Sequence, residues 1–190
     1  MRLTKYNVIL GSNSPRRKKI LEEIGISFTS KSCKKEERYP EHLLEKNISE
    51  YLAVKKAKCL EKDIGKNDLL ITADTIVITN TTILNKPETK IQAKRMLEKI
   101  SGTSHKVVTS VCLKSKNKQK IFSEETIVFF NKIDENIINY YIDTYHPFDK
   151  AGSYGIQDWI GLIAIKRIEG SYTNVVGLPA SRLFNEIRKF

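Results

Sequence analysis

Apolar runs and helical spacing alternate along the chain. Tyr6 to Leu10 is a short apolar run that ends at Gly11 and predicts a strand. Ser14-Pro15 marks a helix start, with Ser14 as N-cap and Pro15 at the first helical position. Ile20, Leu21 and Ile24 then recur at helical spacing, and Gly25 suits the stop. Ser30 to Lys46 is polar and shows no period, and a helix from about Ser49 to Leu60 places Leu52, Ala53, Ala57 and Leu60 on one face. The strongest strand signal is Leu69 to Thr79, apolar nearly throughout, as buried central strands are. Asn85-Lys86-Pro87 breaks the chain, and Thr89 to Ile100 reads as a helix with Ala93, Met96, Leu97 and Ile100 inward, closed by Gly102. Strands over His105 to Leu113 and Gln119 to Phe130 flank a Lys-rich turn. Asp134 caps a helix carrying Ile137, Ile138, Tyr141 and Ile142. A Gly-rich loop follows Pro147, then a strand around Leu162 to Ile168, and Pro179 starts a last helix carrying Leu183, Phe184 and Ile187. Alternation of this kind predicts an α/β fold with a mixed central sheet flanked by helices.

Composition narrows the class. The 190 residues are 40% hydrophobic and 29% charged, as in an ordinary globular protein. No stretch reaches the about 18 apolar residues of a membrane span, and the apolar run at Tyr6 is too short for a secretory signal. The net charge of +11 suits an anionic partner, whether nucleic acid, membrane surface or phosphorylated small molecule. Cys33, Cys59 and Cys112 are odd in number and lack zinc-site spacing, which predicts three reduced thiols and a cytoplasmic location.

Three places carry chemistry. Gly11 to Arg17 runs from a strand through a small-residue loop into a helix N-terminus, where backbone N–H groups favour phosphate. Ser12 and Ser14 add hydroxyl donors. Arg16 and Arg17 stand at the end of the helix that disfavours cations by ~0.3–1 kcal/mol each, a sign that a bound anion reverses. A solvated Arg pair beside a routine cap fits the local pattern equally well. Asp74 is a lone carboxylate inside an apolar run, which calls for a paired, metal-bound or neutral group. A strand-end Asp in a structural salt bridge is its plain alternative. Gln157 is a neutral amide in a Gly-rich loop, able to read a base edge. Lys56 and Lys86 read by themselves as a helix face and a turn. Neither a P-loop nor a GxGxxG pattern occurs, and His42, His105 and His146 share no metal or triad spacing.

Taken in order, Ser12 to Arg17, Ala73 to Thr75, Lys86-Pro87, Ser101 to His105, Lys150 to Gln157 and Glu169 to Pro179 resemble the Maf family of nucleoside triphosphate pyrophosphatases, over Ile9 to about Arg188. The resemblance implies a single Maf-like domain over residues 1–190, an elongated Maf/ITPase-like fold with two lobes around a nucleotide cleft. It implies hydrolysis of a nucleoside triphosphate to the monophosphate and pyrophosphate with a divalent cation, magnesium or manganese. Carried over, Asp74 is the proton acceptor that activates water. Ser12, Arg16 and Arg17 hold phosphates, with Lys56 and Lys86 assisting. The acidic metal residue is Glu36 or Glu37; Glu37 fits the rhythm of Glu37 to Pro40, although Lys34 and Lys35 stand where the family usually has acidic residues. Asp74 shares the metal.

Ile156-Gln157 resembles the branch that acts on dTTP and UTP, whereas the 7-methyl-GTP branch tends to carry Ser-Glu there. Arg16, Thr75 and Gln157 are the positions that the resemblance links to base choice. A homodimer is implied as well, with no membrane and no stable nucleic-acid partner. The competing readings are a basic nucleic-acid-binding domain, drawn from the charge and the eight Tyr, and a non-catalytic regulator of septum formation.

Overall fold

Strands and helices follow one another largely as the hydrophobic pattern predicts. The structure is a computed structural model that describes residues 4–33, 38–80 and 82–190. In chain order the elements are β1 (Asn7–Gly11), α1 (Pro15–Glu23), β2 (Phe28–Lys31), α2 (Lys46–Cys59), β3 (Asp68–Thr79), β4 (Thr82–Leu84) and α3 (Lys90–Ile100). There follow β5 (Ser104–Lys114), β6 (Gln119–Phe130), α4 (Glu135–Tyr145), α5 (Trp159–Ala164), β7 (Ile165–Glu169), α6 (Tyr172–Val176) and α7 (Ala180–Lys189). Among the described residues the seven strands form one mixed sheet in the order β2-β1-β3-β5-β6-β7, with β4 on β3. β1 runs parallel to β2 and β3, while β3–β4 and β6–β7 are antiparallel. No helix among the described residues is long and apolar enough to cross a membrane.

Local chemistry sets the helix ends. Pro15 occupies the first turn of α1, and Gly25 takes the left-handed φ of 74° beyond its end. The Asp134 carboxylate accepts the Ile137 N–H, and the Thr89 hydroxyl accepts the Gln92 N–H. Ser14 is the N-cap residue of α1, but its side chain makes no cap bond.

Several expectations change. Leu162 to Ile168 is not one strand: residues up to Ala164 belong to α5, and only β7 is extended. A short apolar run is ambiguous in period, and here Ile160 and Ala164, four apart, point inward while Leu162 is 81% exposed. β2 lies in a stretch without apolar signal because it is half-exposed and is held by its ladder to β1. β4 and α6 are too short to leave a pattern. α2 starts at Lys46, ahead of Ser49, and the Ser49 hydroxyl donates to the Lys46 carbonyl inside the first turn. The expectation of three reduced thiols is corrected: Cys33 and Cys59 form a disulfide, and Cys112 is free and buried. Sequence separation alone hides that α2 carries Cys59 to within 6.0 Å, Cα to Cα, of Cys33.

The chain divides into two compact units. Unit 1 comprises Met1–Asp74, Thr109–Glu124 and Gly177–Phe190; unit 2 comprises Thr75–Val108 and Glu125–Val176. In unit 1, Ala53, Ala57 and Leu60 of the α2 region cover Ile9, Leu70 and Cys112 of the sheet. In unit 2, α3, α4 and α5 bury Leu97, Ile138, Tyr141 and Ile160 against Val77, Val107, Val128 and Phe130.

One polar group sits inside the second core. His105 is 3% exposed, and its Nε2 lies 2.7 Å from the Tyr154 hydroxyl. Burial lowers its pKa from 6.5 to about 4. The folded state holds the imidazole neutral while the unfolded chain takes up a proton. Its contribution is therefore full above pH 6.5 and is lost as the pH falls toward 4. The shift is worth about 3 kcal/mol. The urea midpoint should fall across that window, and His105→Gln should flatten the dependence.

Candidate active site

Unit 1 builds an anion-facing corner from a close strand contact. A Cβ at Gly11 would lie 2.5 Å from Thr72 Cγ2, so only glycine lets the end of β1 approach β3 this closely. The chain then turns through Ser12, whose hydroxyl accepts the Ser14 N–H at 3.2 Å, and enters α1 at Pro15. The first turn of α1 thus opens beside β3, with Ser12 buried and Ser14 and Arg16 half-exposed. The positive end of the helix favours an anion.

Arg17 faces the fold more than the solvent. Its Nε donates to the Gly177 carbonyl at 2.8 Å and its Nη1 to the Ala73 carbonyl at 2.8 Å, with the Ser12 hydroxyl at 3.5 Å. One guanidinium therefore fixes the residue before Asp74, the loop after β1 and the start of the last chain segment. The rigid fork suits this task, which a lysine ammonium could not reproduce.

Asp74 is 5% exposed, the buried carboxylate that the apolar run implies. Its Oδ1 lies 2.5 Å from Lys56 Nζ. Two periodicities bring them together. Thr72 and Asp74 are two apart on β3 and share a face, and Ala53 and Lys56 are three apart on α2 and share a side. The Thr72 hydroxyl donates to the Ala53 carbonyl at 2.7 Å, which sets the helix at the height where Lys56 reaches Asp74. A low-dielectric setting makes such a pair strong and makes either partner alone unfavourable.

Unit 2 gathers the segments bearing Thr75, Lys86 and Gln157. Thr75 is half-buried on β3; Lys86 is exposed after β4, and Gln157 is exposed in the loop before α5. The Gly152 N–H donates to the Asn85 carbonyl at 3.3 Å, tying the loop to the turn of Lys86. Gly152 has a φ of 71°, and a Cβ there would lie 3.1 Å from Val77 of β3. The three segments therefore meet at one glycine.

Glu36 and Glu37 lie outside the described residues. Among those described, no cluster of three metal-ligating side chains occurs. Asp74 alone fits a cation carried largely by substrate, because magnesium binds through one or two carboxylates plus phosphate oxygens. The family resemblance assigns Lys56 and Arg17 to phosphate, and the sequence does not show their contacts with Asp74 and the Ala73 carbonyl. The strand-face and helix-face spacing of 72/74 and 53/56 was the signal for the first. Nothing in the sequence signals the second, because its acceptors are backbone carbonyls far apart in the chain.

A family model described as Maf-like protein matches residues 7–190. A protein of Phocaeicola vulgatus named dTTP/UTP pyrophosphatase is 46% identical over 188 residues, covering 98% of this chain and 97% of its own. One of Christiangramia forsetii with the same name is 42% identical, covering 98% of this chain and 95% of its own. A crystal structure of a nucleoside-triphosphatase, dITP/XTP pyrophosphatase, from Mycobacterium abscessus is 12% identical with a TM-score of 0.39, over 67% of this chain and 74% of that one.

The Lys56–Asp74 pair makes an asymmetric stability prediction. Lys56→Ala should destabilise the fold by about 3 kcal/mol, because it takes the ammonium away from a buried carboxylate. Adding Asp74→Asn to that variant should restore part of the loss, since a neutral amide needs no counter-charge. Urea unfolding of the two variants checks the order.

Proposed function

This chain belongs to the family of Maf-like proteins, and on that premise we propose that it is a nucleoside triphosphate pyrophosphatase acting on dTTP and UTP. The observation that carries the reading is Asp74: a buried carboxylate, answered by Lys56, on the strand beside which the α1 N-terminus opens. In this proposal a water attacks the α-phosphorus, its proton passes to Asp74, and the bond from the α-phosphorus to the bridging oxygen breaks to release pyrophosphate. Ser12, Ser14 and Arg16 take phosphate oxygens at the positive end of α1, with Lys86 assisting. Arg17 serves the same group by holding Ser12 and the Ala73 carbonyl in place. Lys56 balances charge at Asp74 and, as its ammonium has three donors, can also meet a phosphate.

A divalent cation, magnesium or manganese, held by Asp74, Glu37 and substrate oxygens, would neutralise charge on the triphosphate. Gln157 reads the base: uracil and thymine place an N3–H donor beside carbonyl acceptors, and a neutral amide matches both. Thr75 and Arg16 join it in base choice. A role in removing modified pyrimidine nucleotides follows the same chemistry.

Two expected outcomes test this. Purified protein with magnesium or manganese should convert dTTP and UTP to monophosphate and pyrophosphate, faster than CTP, GTP or 7-methyl-GTP. Asp74→Asn should fold and lose turnover by about 100-fold or more. Wild-type rates in that variant would remove Asp74 from the mechanism. Gln157→Glu should turn preference away from the two pyrimidines, and an unchanged ranking would remove Gln157 from base selection.

A further inference from the structure

A single buried hydroxyl in unit 2 holds both ends of one tight turn. The Asp158 N–H donates to the Gly155 carbonyl at 3.1 Å, closing a turn with Ile156 and Gln157 at its centre. Tyr141, from α4, is fully buried. Its oxygen accepts the Gly155 N–H at 3.2 Å and donates to Asp158 Oδ2 at 2.8 Å. Lys150 Nζ stands 3.5 Å from the same carboxylate oxygen.

The turn has little room to be built otherwise. A Cβ at Gly155 would lie 2.6 Å from Asp158 Oδ2, and one at Gly161 would lie 1.9 Å from the Ile156 carbonyl oxygen. Ile156 is anchored in the core, whereas Gln157 is exposed. A phenylalanine at position 141 would fill nearly the same space. The hydroxyl therefore earns its place in an apolar core only because it is satisfied on both sides by the turn.

The geometry points to Tyr141 as a positioning residue for base selection, its hydroxyl fixing the turn that presents Gln157. This rests on the reading of Gln157 as the residue that reads the base. An amide that accepts and donates to one base edge discriminates only when held within about 0.5 Å and 10–20° of the productive geometry. Tyr141 does not touch substrate in this role. It sets where the backbone of Gln157 stands.

The test is a kinetic cycle with dTTP, UTP, CTP and GTP on wild type, Tyr141→Phe, Gln157→Ala and the double variant, each also followed by thermal unfolding. Tyr141→Phe should still unfold cooperatively. Its KM for dTTP and UTP should rise about tenfold, with kcat changed by less than about threefold, and preference over CTP should fall about tenfold. In the Gln157→Ala background the same substitution should change preference by less than about twofold, since the two act through one group. A folded Tyr141→Phe with wild-type KM and ranking overturns the inference. So does a loss of preference that is equally large without Gln157. If Tyr141→Phe does not fold, Asp158→Ala, at the other end of the clamp, carries the same expected loss of preference. Wild-type protein with no preference for dTTP and UTP overturns the underlying reading and this inference with it. A wild-type preference that survives both clamp variants overturns the inference alone.

Discussion

A carboxylate inside a buried central strand has to be answered by charge, and much of unit 1 is arranged around that demand. Asp74 is buried on β3, and Lys56 answers it at 2.5 Å. For Lys56 to be there, α2 must lie across β3 in one register, which the Thr72 hydroxyl fixes through the Ala53 carbonyl. For the strand to hold Asp74 in place, Ala73 must be fixed too, and Arg17 does this from the first turn of α1. The glycine at position 11 then becomes obligatory, because α1 can start beside β3 only if β1 ends against Thr72. Pair, helix register and strand approach are one constraint seen from three sides.

The second unit meets a different demand, the placement of a loop. Its loop before α5 is fixed by aromatic hydroxyls: Tyr154 against His105, and Tyr141 against Gly155 and Asp158. Burial raises the pKa of both phenols, which favours their neutral form.

Much of this could be seen in the amino-acid sequence, and the reasons are specific. β3 was legible because a continuous apolar run bounded by polar turns has few alternatives, and Asp74 stood out against it. α1 was legible through Ser14-Pro15 and Gly25, and α4 through Asp134. β2 was hidden because an edge strand with exposed side chains depends on its partner's hydrogen bonds, which carry no residue signature. α5 was misread because six residues are too few to separate periods of 2 and 3.6. The disulfide was hidden because no local pattern shows where α2 ends relative to Cys33. For the candidate site, the residue types were legible and their mutual roles were not. Lys56 reads by itself as one of several helix lysines, and Arg17 reads equally as a phosphate ligand or as half of a solvated pair. The acceptors that define Arg17, at Ala73 and Gly177, are backbone atoms and are silent in any side-chain pattern.

The division of the chain bears on how the protein comes to be made. Neither unit is a contiguous stretch, since unit 1 is assembled from three segments and unit 2 from two. β3, β5 and β6 each begin in one unit and finish in the other. Neither half can be cut out as a fragment with its core intact. On the ribosome, the corner around Asp74 stays open while all of unit 2 is being synthesised, because the Gly177 carbonyl that Arg17 holds is translated after it. Contacts of such long sequence separation form slowly. The nascent chain therefore carries an unfinished corner around Arg17 through most of its synthesis, and that corner closes only when the last segment of unit 1 docks.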